Sequence, residues 1–410
     1  MIYFYRIIFS ILKVIVLLLK PFLNSKMKKW VQLREAGPTL KNSLKKSFWF
    51  HASSGEIEYV KSVILEIKKR NPAANIVVTY SSPSAEKLFE NIKPYVTEFK
   101  ALPWDQPTAL KKLITSIDPQ VLIFSRTDFW PELIWQTQQQ QIPTCIVSYF
   151  GQMSFSRQIL AKWLFKKINF ISCVESLTAN KLKSLLPSRV HISADGDTRF
   201  DQVFWRLEQK SKVNLQPTRP IFICGSTWSE DEDQLGHVFT QLLKNNYQII
   251  WSPHEVGAAN IQRIVQKIKM SARSYQLLSR ENKDDLCFTA DFLVVDQIGY
   301  LADLYRYAEI AFVGGSFKEK VHSVMEPLCC GLPVLVGPYF KNNPEAIKYV
   351  TNSHPKVLYV AKDTAELWQG IEQIRSARDN FKENIRNLMK VNQHSTKKIV
   401  DTIQDNVLKS

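Results

Sequence analysis

The sequence predicts an α/β protein built from two doubly wound, Rossmann-like domains facing across a cleft, with an amphipathic helix in front of them. Three observations carry this expectation. Short β-branched or aromatic runs alternate with helical stretches after Pro38, the alternation weakens over a polar stretch at 202–219 and then restarts, and residues 2–23 are apolar apart from a regular row of charges.

The N-terminal segment comes first. From Ile2 to Leu23 the apolar run is interrupted by Arg6, Lys13 and Lys20, each seven residues from the last. Seven residues on a helix drift by only about 20° from two full turns, so the three charges share one stripe with Ser10, opposite a face of Ile, Leu, Val and Phe. A helix of this kind is expected to lie in a membrane interface with its basic stripe toward anionic headgroups, whereas a spanning helix needs about 20 apolar residues with few charges. A signal peptide is disfavoured, because Pro21, Phe22 and the basic Lys26, Lys28 and Lys29 stand where small cleavage-site residues belong. The plain alternative is a core helix of the first domain. Residues 1–37 are therefore assigned to a membrane-associated helix and basic segment.

The first domain is placed at 38–201. Strands are expected at Phe48–Phe50, Ile76–Thr79, Val121–Phe124, Cys145–Ser148, Phe170–Val174 and Val190–Ile192, with helices such as Ile57–Arg70 and Ser84–Ile92 between them. That order implies a parallel sheet covered on both faces. The stretch 202–219, ending in Gln216-Pro217-Thr218-Arg219, is the linker. The second domain, 220–410, restarts with Ile221–Cys224, Gln248–Trp251, Phe292–Val295, Ile310–Val313 and Val334–Val336, and a polar, Lys-rich helix from about Asp379 to the end is assigned to it. In sheets of this type ligands bind beyond the carboxyl ends of the strands.

Composition narrows the function. A length of 410 residues suits two domains, and 45% hydrophobic with 22% charged residues is the make-up of a chain with a packed core. The net charge of +16 gives a positive surface field that suits anionic lipids, phosphorylated substrates or nucleotides. No nucleic acid is expected as partner, since zinc spacing, RNP-type strands and basic recognition helices are missing from the sequence. Six scattered cysteines, none in a C-x-x-C pair, give neither a zinc site nor a disulfide framework and suggest a reducing compartment. There is no Walker A sequence and no G-x-G-x-x-G turn.

Three segments carry chemistry. Phe50-His51-Ala52-Ser53-Ser54-Gly55-Glu56 follows the first strand and opens a helix, so Gly55 permits close backbone approach and Glu56 can serve as a general base; a Glu that merely complements the helix dipole is the plainer reading. Arg126-Thr127-Asp128-Phe129-Trp130-Pro131-Glu132 places charge at a strand's carboxyl end, with Asp128 either functional or a helix N-cap. In the second half, Phe312-Val313-Gly314-Gly315-Ser316-Phe317 is a strand running into a glycine turn that could approach a phosphate. His322-Ser323-Val324-Met325-Glu326-Pro327 then puts Glu326 where it could accept from ribose hydroxyls.

In their order these segments resemble the Kdo transferases, glycosyltransferases of the GT-B fold that attach the acidic sugar Kdo (3-deoxy-D-manno-octulosonic acid) to the lipid A precursor. His51–Glu56 is similar to the family's Ser-x-Gly-Glu element, Arg126–Pro131 to its Glu-Thr-Glu-x-Trp-Pro element, and Gly196-Asp197-Thr198-Arg199-Phe200-Asp201 to its Gly-Asn-x-Lys-Phe-Asp element. Gly225-Ser226-Thr227-Trp228, Asp296-Gln297-Ile298-Gly299, Gly314-Gly315-Ser316 and His322–Pro327 follow in family order. The resemblance implies Glu56 as catalytic base, an acceptor side of Ser53, Ser54, Gly55, Arg126 and Asp128, and a donor side of Ser226, Thr227, His254, Ile298, Gly299, Gly314, Gly315, Ser316, His322, Ser323 and Glu326. It implies CMP-Kdo as donor, the lipid A precursor (lipid IVA) as acceptor, and inversion at the anomeric carbon. It also implies a place in lipopolysaccharide biosynthesis at the cytoplasmic face of the bacterial inner membrane, whose anionic surface the N-terminal helix would bind. No metal is expected. The sequence departs from the family where Arg126 replaces the first acid, Asp128 shortens the second, Pro253-His254-Glu255 stands for Pro-Arg-His and Lys320-Val321-His322-Ser323 for Gly-Gly-His-Asn. These departures leave open a GT-B transferase with another nucleotide sugar or acceptor, or a non-catalytic membrane-surface binding protein of the same fold.

Overall fold

The computed structural model of the chain describes residues 1–37, 44–90, 92–151, 155–351, 356–377 and 381–409, with backbone alone for 54, 87, 155–157, 160 and 161. The structure divides into two units, Met1–Gln202 with Asn392–Ser410, and Val203–Val391.

The first unit is a seven-stranded sheet of β1 (Ser47–His51), β2 (Ile76–Tyr80), β3 (Glu98–Ala101), β4 (Pro119–Ser125), β5 (Thr144–Tyr149), β6 (Phe170–Cys173) and β7 (His191–Ala194), in the order β3-β2-β1-β4-β5-β6-β7 with every pair parallel. Both faces are buried, which is why the inner strands read as unbroken apolar runs. The period of two sorts their side chains: Trp49, Val77, Leu122, Ile146 and Ile171 pack with Leu113 and Ile117 on one face. Phe48, Phe50, Ile76, Val121, Ile123 and Val147 pack with Val60, Val63 and Ile67 of helix Ile57–Arg70 on the other.

The second unit carries β8 (Leu215–Pro217), β9 (Ile221–Thr227), β10 (Gln248–Pro253), β11 (Tyr275–Leu277), β12 (Leu286–Phe288), β13 (Phe292–Val294), β14 (Ile310–Val313), β15 (Val334–Val336) and β16 (Leu358–Val360). Its main sheet runs β11-β13-β10-β9-β14-β15-β16, again all parallel, while β8 and β12 form a separate pair. The α/β, GT-B reading of the sequence is borne out. The strands it missed, β3, β8, β11, β12 and β16, are at sheet edges or short, and Glu98-Phe99-Lys100 alternates charged with apolar residues on a half-buried edge.

Two segments differ from the expectation. Residues 202–208 are not linker but the continuation of helix Thr198–Glu208, and Leu215–Pro217 is paired as β8. The terminal helix, expected with the second domain, belongs to the first unit from Asn392 onward: Ile399, Val400, Ile403 and Val407 lie in the same core as Phe50 and Val60, because they form the one apolar stripe on an otherwise polar helix. The expected starts of the first domain at Pro38 and of that helix at Asp379 lie outside the described residues.

Helix Ile2–Leu18 is present, but its orientation reverses the expectation. Arg6 binds Glu132 through Nε and Nη2, both 2.8 Å from its oxygens. Lys13 donates to Gln106 at 2.7 Å, Tyr5 to Asp105 at 2.7 Å, and the Gln106 amide to Ser10 at 3.4 Å. The basic stripe thus faces the body of the unit, drawn there by a fully buried carboxylate that needs a counter-charge. The outward surface is the apolar one: Tyr3, Phe4, Ile7, Ile11, Leu12, Val14, Leu18 and, beyond the helix, Phe22 are exposed. Among the described residues no helix is long and apolar enough to cross a membrane.

Candidate functional site

In each sheet the strand order reverses beside its first strand, between β1 and β4 in the first unit and between β9 and β14 in the second. Loops leaving the carboxyl ends there part to opposite faces and open a crevice. The three segments singled out for their chemistry fall at these two points.

In the first unit, β1 ends at His51 and a single 3-10 turn, Ser54–Glu56, leads into helix Ile57–Arg70. The Glu56 carboxylate accepts from the Ser53 N–H at 3.3 Å, and from the Thr127 N–H at 3.2 Å and hydroxyl at 3.0 Å. Ser125 at the end of β4 donates to the Glu56 carbonyl at 3.1 Å, so both strands flanking the reversal hold this residue. Burial pushes the Glu56 carboxyl up to about 7; the Thr127 hydrogen bond opposes that rise and the charge of Asp128 adds to it. A side-chain carbon added at Gly55 would meet nothing within 4 Å, so the space above the turn is open.

Asp128 behaves oppositely. Burial raises its carboxyl, but hydrogen bonds and charge from His51, with help from Ser81 and Trp130, outweigh burial and hold it down at about 2. His51 Nε2 lies 3.0 Å from Asp128 and its Nδ1 2.9 Å from Thr79, while Ser81 donates to Asp128 at 2.6 Å and stands 2.7 Å from the Ser53 hydroxyl. Asp128 is not a helix cap, since the helix begins at Pro131 behind Trp130. Two neighbouring carboxylates whose environments drive their proton affinities apart divide the labour of an acid–base site: Glu56 exchanges a proton near neutrality and Asp128 stays a fixed anion. The structure thus brings Ser53, Gly55, Glu56 and Asp128 together; the Ser54 side chain lies outside the described residues. Arg126 follows with φ of 50°, its guanidinium over the Tyr59 ring. Sequence reasoning missed Thr127, Ser81 and Tyr59, of which Thr127 alone was signalled, by its place between two site residues.

In the second unit the glycine turn proves to be a packing device. A side-chain carbon at Gly314 would overlap the Ser226 carbonyl, and one at Gly315, where φ is 78°, would overlap the Lys320 carbonyl. The Gly315 and Phe317 N–H groups, candidates for a phosphate, both donate to Asp231, at 2.6 and 2.9 Å. Asp231 also accepts from the Trp228 N–H at 2.9 Å, so one carboxylate near a helix start fills the anion site that the turn creates. Ser316 is fully buried, donating to Val313 and accepting from Gly337, and the buried Thr227 hydroxyl accepts from Trp251 at 3.1 Å. The side chains of Thr227 and Ser316 are therefore directed into the fold and not to a donor, because their hydroxyls satisfy buried backbone and indole groups.

What the crevice presents instead is a stack of rings. Trp228 lies 4.7 Å from His254, and His254 4.4 Å from His322, all near parallel. The Trp228 indole donates to His322 Nε2 at 3.2 Å, and the Lys318 ammonium sits 3.6 Å above the Trp228 ring. Burial, with His254 and Lys320 adding, pulls His322 down to about 4, so it is neutral at physiological pH. Glu326 accepts from the Ser323 hydroxyl and stands 3.9 Å from Arg206. Ile298 and Gly299 form an exposed loop after β13, two strands away from β9 in the sheet. Flat rings, neutral imidazoles and flanking ammonium groups suit an aromatic, anionic ligand such as a nucleotide. Among the described residues no three His, Cys, Asp or Glu side chains gather as a metal ion would require.

Comparison with known proteins agrees with this picture. Residues 28–202 match the family model described as 3-deoxy-D-manno-octulosonic-acid transferase (kdotransferase). A 3-deoxy-D-manno-octulosonic acid transferase of Aquifex aeolicus is 27% identical over 307 residues, 73% of this chain and 78% of that one. The transferase of the same description from Chlamydophila psittaci is 27% identical over 320 residues, 72% and 70% of the two chains. Among solved structures, the UDP-GlcNAc 2-epimerase of Neisseria meningitidis bound to UDP-GlcNAc superposes with a TM-score of 0.61 at 16% identity, covering 88% of this chain and 100% of that one, a likeness of fold alone. The family resemblance carried by the ordered motifs is borne out as a similarity to the Kdo transferases, carried by the match at residues 28–202 and by relatives 27% identical.

Proposed function

We propose that the protein transfers Kdo from CMP-Kdo to the lipid A precursor, with inversion. The observation that carries this reading is the Glu56 carboxyl, fixed by Thr127 and Ser53 at the reversal of the first sheet and raised to about 7. Ionised, Glu56 takes the proton of an acceptor hydroxyl as that oxygen bonds to the anomeric carbon of Kdo. The bond from that carbon to the cytidylate phosphate breaks, and CMP departs with the electron pair. A phosphate is a good leaving group, so base assistance and charge stabilisation do most of the work.

In the donor unit the Trp228–His254–His322 stack with Lys318 is suited to hold CMP, and Ser323, Glu326, Ile298, Gly299 and Ser226 line the remaining carboxyl edge. No divalent ion is assigned a role. The outward apolar face of helix Ile2–Leu18 supports a site of action at a membrane surface, which this reading places at the anionic cytoplasmic face of the inner membrane, where a lipid acceptor would be met.

The test is direct. Purified protein incubated with CMP-Kdo and tetra-acylated precursor should give a product heavier by one or more Kdo units, and wild-type protein that yields none where a known transferase succeeds rules the reading out. Thermal stabilisation by CMP but not by UDP or GDP would separate this donor from other nucleotide sugars.

A further inference from the structure

Tyr5 and Arg6, neighbours on helix Ile2–Leu18, reach two carboxylates at one place, the start of helix Pro131–Gln139. The Tyr5 hydroxyl donates to Asp105 at 2.7 Å, and the Asp105 carboxylate also accepts from the Glu132 N–H at 2.9 Å and the Leu133 N–H at 3.0 Å. Glu132 itself receives both prongs of Arg6 at 2.8 Å and the Gln136 amide at 2.5 Å. Asp105 and Glu132 are both buried. Burial pushes the Asp105 carboxyl up to about 6; the Tyr5 hydroxyl and the two N–H groups oppose the rise, and the charge of Glu132 adds to it. Each carboxylate is thus met by a donor from the N-terminal helix, a phenol for Asp105 and a guanidinium for Glu132.

The helix start held in this way is the downstream end of the Glu56 site. Thr127 donates to Glu56 from both its N–H and its hydroxyl, and the residues from there to Glu132 are constrained in turn. His51 and Ser81 hold the Asp128 side chain. The Phe129 N–H donates to the Thr127 carbonyl at 3.1 Å, and its ring packs edge-on against Phe165 with centres 5.0 Å apart. The buried Arg34 guanidinium, from the second N-terminal helix (Ser25–Ala36), lies 4.2 Å from the Trp130 ring, and Pro131 has its φ fixed by its own ring. A short segment with so little freedom passes a displacement at 132 on to 127 and 128 instead of absorbing it.

We propose that Tyr5 and Arg6 are positioning residues for the transfer step: through Asp105 and Glu132 they fix the start of helix Pro131–Gln139, and with it the Thr127–Asp128 pair that orients Glu56. The inference rests on the transfer reaction proposed above. It gives the inward side of helix Ile2–Leu18 a part in the chemistry that is separate from its outward apolar face.

The experiment compares full-length wild type with Tyr5→Phe, Arg6→Gln and Arg6→Lys. All are assayed from about pH 5 to 9 with CMP-Kdo and the tetra-acylated precursor dispersed in detergent, at a temperature where circular dichroism shows them folded. Tyr5→Phe deletes one hydroxyl and keeps the ring, so it carries the test if Arg6→Gln does not fold. Arg6→Gln should lower kcat about ten- to a hundredfold and Tyr5→Phe about three- to tenfold, with the KM for CMP-Kdo unchanged. Arg6→Lys, which keeps the charge without the fork, should recover part of the loss. A purely structural role would leave the pH profile where it is. Because the charge of Asp128 helps to raise the Glu56 carboxyl, loosening Asp128 should instead move the midpoint of the kcat rise to lower pH. In an Asp128→Asn background the same substitutions should shift that midpoint no further. A midpoint that stays at the wild-type value, or that moves equally in the Asp128→Asn background, overturns the proposal.

Wild-type protein without Kdo transfer would refute the reaction and leave the positioning role to be judged by hydrogen exchange. In Tyr5→Phe the amides of residues 127–133, among them the Thr127 N–H that meets Glu56, should exchange at least about tenfold faster than in wild type, while those of β2 keep their rates. Unchanged exchange over 127–133, or equal acceleration in β2, rejects the positioning role.

Discussion

Arg6, on the N-terminal helix, closes a two-pronged ion pair on Glu132, whose carboxylate has no exposed surface. Removing one partner of such a pair strands a buried charge, so Arg6→Ala is expected to cost about 3 kcal/mol. The exposed pair Lys20–Glu35 should matter by no more than about 0.5 kcal/mol when Lys20→Ala is made. Denaturant unfolding of both variants checks the contrast, and equal effects would mean that the helix is not anchored through Arg6.

For Glu56 the pH dependence has a sign. A base with its carboxyl near 7 works only when ionised, so kcat should climb through pH 7 and level off above it, and Glu56→Gln should lower kcat by about 10²- to 10⁴-fold on that plateau and by less at lower pH. Asp128→Asn removes a negative neighbour and should move the midpoint of that rise to lower pH.

The same group predicts a stability window. Its folded value lies above the ordinary carboxyl value of 4.5, so the unfolded chain gives up its proton first and wild type loses stability as pH rises from 4.5 to 7. Glu56→Gln should therefore melt higher than wild type above pH 7, by about 1 kcal/mol once solvent screening is allowed for, with the gain vanishing below pH 4.5. Thermal melts at pH 4, 6 and 8 test the trend.

His322 runs the other way. Its folded value near 4 lies below the ordinary 6.5, so the stability that it contributes is complete above pH 6.5 and is lost as pH falls toward 4. Protonation of Nε2 there would remove the acceptor used by the Trp228 indole. Tryptophan emission should respond around pH 4 in wild type, and the response should be reduced in His322→Ala; an identical titration in both would exclude His322 as its source.

Gly314→Ala would drive a side-chain carbon into the Ser226 carbonyl and the Thr227 backbone. Because the obstacle is main chain of β9, relief requires strands to shift, and a loss of about 3 kcal/mol is expected. Gly55→Ala, with open space around it, should leave the melting temperature nearly unchanged.

The strands of both sheets were legible because burial on two faces leaves uninterrupted apolar runs such as Ile221–Cys224 and Ile310–Val313. Glu56 and Asp128 were legible because a carboxylate at a strand end is unusual. What could not be read was direction. Arg6, Lys13 and Ser10 form the stripe that the heptad spacing predicts, yet the spacing does not tell whether a stripe meets headgroups or a buried glutamate in a helix over a hundred residues later. Gly314-Gly315 likewise marks a close approach, and the partner could be a phosphate or, as found, the backbone of β9 and the carboxylate of Asp231. The Trp228–His254–His322 stack unites three separate segments, and nothing local to any one of them announces it.

Because Ile399, Val400, Ile403 and Val407 complete the layer over Phe50 and Val63, residues translated after the second sheet are a structural part of the first. During synthesis the first sheet must wait, with one apolar side unfinished, until the second has left the ribosome. A premature stop before Ile399 would therefore injure the unit that bears Glu56 while leaving the other unit to fold.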